Sequence, residues 1–184
     1  MITIKLVSEE SELEGISQLQ KLNHYQYIDK PEALSQGYVS AEYPINFLKE
    51  MHHAHPSVIA KHGKAVIGYA LVSPKSIRHS HALLGELFDV VDTVNFKGTL
   101  LKDSNYVAVG QLCVAKEFRG KGISKLLYNH FKENLSNKFD YCITDVATNN
   151  APSLKAHLST GFEIVDSQVY GGIHWHIVLW DWNK

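Results

Sequence analysis

The chain has little of what stabilises small secreted proteins or spans membranes. Only two of its 184 residues are cysteines, Cys113 and Cys142, and both lie in apolar stretches without the CxxC spacing of a metal or redox site. This pattern favours buried thiols in a reducing compartment. No apolar run approaches the roughly 20 residues of a membrane-spanning helix. We therefore expect a cytoplasmic protein that does not enter a membrane.

The chain also lacks an excess of charge of either sign. Its 18 Lys and Arg residues face 19 Asp and Glu residues, which leaves a formal net charge of −1. No basic run is present, so we expect no nucleic-acid partner. With 45% hydrophobic and 20% charged residues, the composition is typical of a globular protein. The length suits a single domain, residues 1–184, with no linker or repeat to divide it.

The hydrophobic pattern predicts an α/β fold, a mixed sheet with helices on both faces. Residues 1–7 alternate like a strand, and a helix follows in which Ser11 and Glu14 have capping-box spacing. The apolar face of that helix is predicted to include Leu13, Ile16, Leu19 and Leu22. Pro44 is expected to open another helix, and residues 58–72 are typical of a hairpin. Further strands are predicted at 106–114, 139–146, 162–169 and 174–182, and further helices at 120–135 and 150–159.

Residues 74–104 form a long insert between two predicted strands of the sheet. Connections of about 30 residues are uncommon unless they are functional or carry their own helix. The apolar residues from Leu83 to Val91 have helical spacing, so we expect a short helix there that partly covers a substrate entrance. The alternative is that the insert contacts a second copy of the chain in a homodimer.

A glycine-containing turn, residues 119–122 (RGKG), stands between the buried strand at 106–114 and the helix that follows it. A helix start leaves about four backbone N–H groups unpaired, and the helix dipole makes that end positive. Glycines allow a ligand to approach such groups closely. The combination predicts an anion site suited to a pyrophosphate. Neither Walker A nor GxGxxG fits, because Lys125 stands where the second pattern needs glycine.

These residues resemble the principal motif of the GCN5-related N-acetyltransferase (GNAT) family, [Q/R]-x-x-G-x-[G/A], which follows a central strand. Here the motif reads Arg119-x-x-Gly122-x-Ser124, with serine in place of the last small residue. A second family element, a strand followed by Asn, a helix and Gly-Phe, matches residues 144–162. The resemblance covers about residues 57–182. It implies the family's fold, in which two central strands splay apart beside the cofactor.

The resemblance also implies that acetyl-CoA is the acyl donor. Backbone groups of residues 112–114 would pair with the pantetheine arm, and those of residues 121–124 would hold the pyrophosphate. The expected cofactor-binding residues are Leu112, Cys113, Val114, Arg119, Gly120, Lys121, Gly122, Ile123, Ser124, Asn150 and Ser153.

The implied reaction is direct attack of an amine on the acetyl thioester, so that the protein acts as an N-acetyltransferase. The backbone N–H of Cys113 is the expected donor to the oxyanion. His157 stands where the family usually has a tyrosine that protonates the leaving thiolate. With a reference pKa of about 6.5, it would be partly protonated near neutral pH, or it would simply hydrogen-bond the sulfur. A histidine without a catalytic role is the alternative. The base stays open among a water chain, Asp145, Glu42, Glu86, His174 and His176.

The acceptor amine is expected opposite the cofactor, between residues 24–43 and the last hairpin. The candidate substrate-binding residues are Tyr25, Tyr27, Tyr38, Gln111 and Trp175. Gln111 and Trp175 each have an alternative explanation, a satisfied buried amide and ordinary sheet packing. His174 and His176 would share one face of a strand, but no Cys or Glu falls at ligand spacing, so we expect no metal. The acceptor is a small molecule or a protein, and the alternative function is a non-catalytic module that senses acyl-CoA.

Overall fold

The N-terminal part of the chain forms one edge of a central sheet and three helices. The computed structural model describes residues 1–183. Its first elements are β1 (Ile2–Leu6), α1 (Glu10–Asn23), α2 (Lys30–Gln36), α3 (Ile45–Ala54), β2 (Val58–His62) and β3 (Ala65–Ser73). The strands β1, β2 and β3 pair antiparallel in that order, and Pro44 caps α3 as predicted.

The start of α1 differs from the prediction. Its capping box is formed by Glu9 and Glu12, earlier in the chain than the predicted pair. Glu12 is buried and its Oε1 accepts hydrogen bonds from Lys5 Nζ (2.8 Å) and Lys61 Nζ (2.7 Å). Leu22 is 72% exposed rather than on the apolar face. The buried positions of this helix recur every three to four residues and end at Asn23, so Leu22 falls outside the stripe that packs on the sheet.

The insert is a packed substructure. It contains α4 (Ala82–Thr93), β4 (Asn95–Phe96) and β5 (Thr99–Leu100), with β4 and β5 paired as a small hairpin. The helix α4 contains the residues for which a helix was predicted. Its inner face is buried, and Arg78 before it forms an ion pair with Asp92 (Nη1 to Oδ2, 2.7 Å). Lys75 Nζ donates to the carbonyl oxygen of Ser104 (2.9 Å), which ties the two ends of the insert together.

The C-terminal part supplies the centre and the other edge of the sheet. Its elements are β6 (Tyr106–Val114), α5 (Ile123–Leu135), β7 (Tyr141–Ala147), α6 (Ala151–Thr160), β8 (Glu163–Tyr170) and β9 (Ile173–Asp181). The seven strands lie in the order β1-β2-β3-β6-β7-β9-β8, and among them only the pair β6–β7 is parallel within residues 1–183. This confirms the predicted mixed sheet.

Alternate residues of β6 enter two separate cores, one on each face of the sheet. Tyr106 and Ala108 belong to the core that α1, α3 and α4 cover. Val107 and Val109 belong to the core that α5 covers. Because a strand points successive side chains to opposite faces, a nearly continuous apolar strand requires cover on both. The predicted helices on both faces are therefore confirmed.

The strands β6 and β7 pair only at their first residues. Tyr106–Ala108 lie opposite Tyr141–Ile143, and Thr144 Oγ1 donates to the Val109 carbonyl oxygen at 2.8 Å. Beyond Val109 the two strands no longer pair, and a gap opens between them. This is the splayed strand pair that the family resemblance implies.

A bulge in β6 lies at the point where the gap begins. Ala70 pairs with Leu112 but Val72 pairs with Val109, so β6 holds one residue more than β3 between these pairs. A Cβ at Gly110 would lie 2.5 Å from Ser73 Oγ and 3.0 Å from Met51 Cε. A side chain at this position would therefore require Ser73 to move.

Candidate active site

Two cavities lie in and beside the gap between β6 and β7. The first, which we call the glycine-loop cavity, has a volume of about 580 Å³ and is lined by the ends of β6 and α6 and the start of α5. The second, which we call the aromatic cavity, has a volume of about 630 Å³ and lies on the side of α2 and α4. Tyr38, Val39, Leu112 and Ser153 line both. The two cavities therefore meet at the bulged middle of β6.

The glycine loop exposes backbone donors to its cavity. Gly120 and Gly122 have φ values of 71° and 76°, in the left-handed region that favours glycine, and no atom lies within 4 Å of a Cβ built on either. The helix α5 begins at Ile123 rather than at Gly120 as predicted, because Gly122 is its left-handed N-cap. The first bond of the helix runs from Leu126 N–H to the Gly122 carbonyl oxygen (3.1 Å), so the N–H groups before it are available to an anion.

Arg119 supports the loop from beneath. Its Nε donates to the Val114 carbonyl oxygen at 3.0 Å, and Nη2 donates to Asn23 Oδ1 at the end of α1. The third nitrogen, Nη1, is buried without a protein partner. Lys121 Nζ donates to the Glu117 carbonyl oxygen at 2.8 Å. Arg119 thus joins α1 to the end of β6. Its guanidinium and the Lys121 ammonium place positive charge beside the glycine loop.

The direction of the backbone groups on β6 corrects the prediction for Cys113. Ala115 N–H donates to the Ile67 carbonyl oxygen on the β3 side (2.8 Å), and Cys113 lies opposite Tyr69 on the same strand. Backbone groups alternate in direction along a strand, so Cys113 N–H also points to β3. The N–H groups of Leu112 and Val114 point into the gap. Burial raises the pKa of the Cys113 thiol to about 12, so its side chain is neutral.

Asn150 and Ser153 start α6 beside the gap. Asn150 Oδ1 accepts the Ser153 N–H (3.4 Å), which caps the helix, and Asn150 Nδ2 donates to the Tyr38 carbonyl oxygen (3.1 Å). Both ends of the amide are thus bonded within the protein, and Asn150 lines the aromatic cavity rather than the glycine-loop cavity. Tyr38 Oη in turn donates to Asn149 Oδ1 at 2.8 Å. The amide that was expected to contact the cofactor instead holds the Tyr38 segment across the gap.

His157 is a buried neutral histidine. Its Nδ1 lies 2.7 Å from the Ser153 carbonyl oxygen and its Nε2 lies 2.7 Å from Tyr128 Oη. A carbonyl only accepts, so Nδ1 carries the proton and Nε2 accepts from the tyrosine. Burial lowers the pKa of His157 to about 4. The expected protonated fraction near neutral pH is therefore wrong, because the ring is desolvated and both nitrogens are already paired.

Asp145 is the acidic residue that the structure places at the cavity. It lies on β7, lines the aromatic cavity, and its Oδ2 accepts a hydrogen bond from Tyr170 Oη. Burial raises the pKa of Asp145 to about 7 from an ordinary value of 3.8. Burial, and then the nearby Asp145 carboxyl, also raise the pKa of Tyr43, whose Oη donates to the Gly110 carbonyl oxygen (3.2 Å). A carboxyl with this pKa exchanges a proton near neutral pH.

The other base candidates lie outside the residues that line the aromatic cavity. Glu42 forms an ion pair with Lys21 (3.8 Å), and His176 Nδ1 lies 2.8 Å from Ser167 Oγ. Glu86 and His174 are also absent from the lining. In the sequence, Asp145 was one of several candidate bases with no argument to prefer it. Its desolvation in the folded protein, which raises its pKa, distinguishes it from the others.

The predicted acceptor-side residues are only partly brought together. Tyr25, Tyr38, Gln111 and Trp175 line the aromatic cavity, whereas Tyr27 is 66% exposed and does not. Gln111 has the bonds of a satisfied amide. Its Oε1 accepts from Tyr69 Oη (2.6 Å) and its Nε2 donates to the Ala41 carbonyl oxygen (2.8 Å). It therefore holds the wall of the cavity in place.

Two further parts of the cavity wall come from the last hairpin and from the helix of the insert, where the sequence analysis expected the acceptor side. Tyr170 stacks on Trp175 with ring centroids 5.3 Å apart and planes at 19°. Leu83 and Leu87 of α4 line the same cavity, which places the helix of the insert at the predicted substrate side. Apolar spacing indicated the helix, but no local signal indicated which of its residues would face a cavity.

Residues 1–183 contain no group of three or more His, Cys, Asp or Glu side chains arranged to hold a metal ion. They also contain no helix that is long and apolar enough to cross a membrane. The expected location, the possible homodimer and the absence of a nucleic-acid partner stay predictions.

Comparison with known proteins identifies the family. Residues 19–162 match the family model described as acetyltransferase (GNAT) family, and no curated protein sequence matches the chain. The chain therefore belongs to the GNAT acetyltransferase family, as its motifs predicted.

Solved structures share the fold over nearly the whole chain. A GNAT-family acetyltransferase from Streptococcus agalactiae has a TM-score of 0.69 at 13% identity, covering 100% of this chain and 96% of that one. Arabidopsis thaliana NAA60, solved in complex with acetyl-CoA, has a TM-score of 0.65 at 16% identity, covering 98% and 99%. A putative acetyltransferase from Salmonella typhimurium, solved with acetyl-CoA, has a TM-score of 0.65 at 14% identity, covering 100% and 95%.

Proposed function

We propose that this protein transfers an acetyl group from acetyl-CoA to a primary amine. The observation that carries the proposal is the junction of two cavities at Leu112. One cavity offers unpaired backbone donors to an anion, and the other has the partly buried carboxyl of Asp145, whose pKa is raised by desolvation. Acetyl-CoA in the related structures supports the choice of donor.

The glycine-loop cavity fits the pyrophosphate and pantetheine of acetyl-CoA. N–H groups at the start of α5, from Ile123 to Lys125, would hold the pyrophosphate, with Arg119 supporting the loop. The gap-facing backbone of Leu112 and Val114 would pair with the amides of the pantetheine arm. Ser153 lines both cavities and would lie beside the thioester end. Acetyl-CoA supplies the acetyl group already activated as a thioester.

The N–H of Leu112 is our candidate for the oxyanion donor in place of Cys113. It points into the gap at the junction of the cavities, after the bulge in β6. A donor fixed by the backbone needs no reorganisation when negative charge develops on the carbonyl oxygen.

Asp145 is our candidate for the general base. Its carboxylate accepts the proton that the amine nitrogen loses as the new C–N bond forms, and the C–S bond then breaks. A pKa of about 7 suits this role because the group is ionised at slightly alkaline pH and still basic enough to take a proton. The Tyr170 hydroxyl holds the carboxylate in place.

Tyr38 replaces His157 as our candidate for the group that stabilises the leaving thiolate. Its side chain belongs to both cavities, and its hydroxyl bonds Asn149 Oδ1 (2.8 Å). Burial raises the pKa of Tyr38, so the phenol stays protonated and would stabilise the thiolate by donating a hydrogen bond to it in place of its bond to Asn149. The His157 ring is buried, with both nitrogens bonded to groups of the protein.

The proposal is tested in two steps. Coenzyme A should raise the melting temperature of the protein, because a ligand that binds only the folded state stabilises it. Thiol release from acetyl-CoA should then depend on an added amine, with the acetylated amine identified by mass spectrometry. A thermal shift without transfer to any amine of a broad panel would instead favour the acyl-CoA sensor.

A further inference from the structure

The shape and charge of the aromatic cavity point to a class of acceptor. We infer that the acceptor is a small primary monoamine with an aromatic or bulky apolar body, rather than a polyamine or a lysine within a protein chain. This inference rests on the proposed acetyl transfer. Three features of the cavity support it: its charge distribution, its wall and the segments that enclose it.

The charge of the cavity suits one ammonium group. Among residues 1–183, Asp145 is the one carboxyl that lines the cavity, and Lys30 is the one ammonium. Asp145 is partly buried on β7, whereas Lys30 is exposed on α2 at the rim. A monoamine would place its single positive charge at Asp145. A polyamine would carry a second positive charge toward Lys30, where no carboxylate of the lining compensates it.

The wall between these two charges is apolar and aromatic. Trp175 stacks on Tyr170 at 5.3 Å, and its indole Nε1 donates to the Tyr170 carbonyl oxygen (3.2 Å), so the ring is held rigidly. Leu83 and Leu87 approach from α4, and Leu34 approaches from α2. A surface of this kind binds an aromatic or branched apolar group.

The cavity is enclosed by α2 as well as by α4. Lys116 Nζ forms an ion pair with Glu32 Oε2 of α2 (2.8 Å), which fastens α2 to the end of β6. The segment after α2 is fastened to the other side of the gap, where Tyr38 Oη bonds Asn149 (2.8 Å) and Asn150 bonds the Tyr38 carbonyl oxygen (3.1 Å). A bridge over the gap leaves a pocket rather than an open groove, so a small molecule fits better than an extended chain.

The experiment compares amines on the full-length protein at fixed ionic strength. The probes are 2-phenylethylamine, ethylamine, spermidine, and two short peptides, one with an internal lysine and a blocked N-terminus and one with a free N-terminus. We expect kcat/KM for 2-phenylethylamine to exceed that for spermidine and for either peptide by at least about 10-fold, because burial of one aromatic ring supplies that factor. A higher kcat/KM for spermidine or a peptide overturns the inference but leaves acetyl transfer standing. No transfer to any probe, with coenzyme A bound, contradicts both.

Two variants separate the apolar wall from the charge. Trp175→Ala should lower the ratio of kcat/KM for 2-phenylethylamine to kcat/KM for ethylamine about 10-fold, because only the larger amine carries a ring that packs on the indole. A loss common to both amines is also expected, since Trp175 stacks on Tyr170, whose hydroxyl bonds Asp145. Val169→Ala, an exposed change on the neighbouring strand, is the control and should alter neither. Lys30→Glu should raise the use of spermidine relative to 2-phenylethylamine. Equal losses for both monoamines in Trp175→Ala, or an unchanged spermidine preference in Lys30→Glu, would contradict the assignment.

Discussion

The glycine-loop cavity and the aromatic cavity are built from different kinds of groups. The first offers mainly backbone N–H groups from one contiguous stretch, the end of β6 and the start of α5. The second offers side chains from α2, α4, β6, β7 and the β8–β9 hairpin. A backbone site depends on the path of the chain and tolerates changes of side chain. A side-chain site depends on which residues the fold brings together. Substitutions in the aromatic cavity can therefore change which substrate is accepted.

The largest effect is expected from the one carboxyl of the aromatic cavity. Asp145→Asn should lower kcat/KM by roughly 100- to 1,000-fold, in the range that a general base contributes. The Kd for coenzyme A should stay unchanged, because Asp145 belongs to the lining of the other cavity. Steady-state kinetics and isothermal titration measure the two quantities. Asp166→Asn, on β8 outside both linings, is the control. A loss of coenzyme A affinity in Asp145→Asn would contradict the assignment of coenzyme A to the glycine-loop cavity and of the base to the aromatic cavity.

His157 should act on stability rather than on proton transfer. His157→Ala removes a buried ring and leaves Tyr128 Oη without its acceptor, which should cost about 2 kcal/mol or more of unfolding free energy. The pH profile of kcat in the remaining folded enzyme should keep its shape. Chemical denaturation measures the first quantity. If an ionisation disappears from the pH profile of kcat in this variant, His157 takes part in proton transfer.

A side chain at position 122 should weaken binding in the glycine-loop cavity and leave the aromatic cavity unchanged. Gly122→Val forces a branched residue to a φ of 76°, where the left-handed conformation costs about 1–2 kcal/mol. The free loop should relieve this strain by leaving that conformation, so binding must restore it and the Kd for coenzyme A should rise about 10-fold. The KM for the amine should change little. Gly63→Val is the matched control, because Gly63 also has a positive φ (60°) with open space around it but lies in the β2–β3 hairpin. It should lose similar stability and keep its affinity for coenzyme A.

The last effect is a pH dependence of stability that belongs to Asp145. The folded carboxyl has a pKa of about 7 against an ordinary 3.8, so the folded state binds the proton more tightly than the unfolded state. Stability contributed by this group is therefore present below about pH 4 and is lost as pH rises toward 7. Activity should move the other way and rise through pH 7 as the base ionises. In Asp145→Asn the stability slope in this window should flatten, which denaturation at a series of pH values would detect.

Glu12 shows why the environment decides what a buried carboxyl does. Burial alone would raise its pKa, but hydrogen bonds from Lys5 and Lys61 and from the Ser8 N–H outweigh burial and lower the pKa to about 2. Asp145 is partly buried without a lysine partner, and its pKa rises. The two side chains differ by one methylene, yet one is a permanent structural anion and the other can exchange a proton at neutral pH.

Local features of the site were predictable because each depends on neighbouring residues. The glycine loop follows a nearly continuous apolar strand, so its place in the fold could be inferred from residues 106–122. The helix of the insert was predicted from its apolar spacing, and the structure places it at Ala82–Thr93. The wrong predictions concern the exact residues at which helices begin. The cap of α1 and the first residue of α5 depend on the φ and ψ of single residues, which a hydrophobic pattern does not determine.

The sequence by itself determined the family and the sheet with helices on both faces; the splayed strands and the backbone half of the site were implied by the family resemblance. The sheet and its helices follow from hydrophobic periodicity, and the family follows from a contiguous motif. Both signals can be read directly from the linear sequence. Only the tertiary structure decided that Cys113 N–H faces β3, that His157 is neutral and paired with Tyr128, and that Asp145 is the desolvated carboxyl beside Tyr170. Hydrogen-bond direction, burial and pKa depend on residues far apart in the chain, so they become defined only when the chain folds.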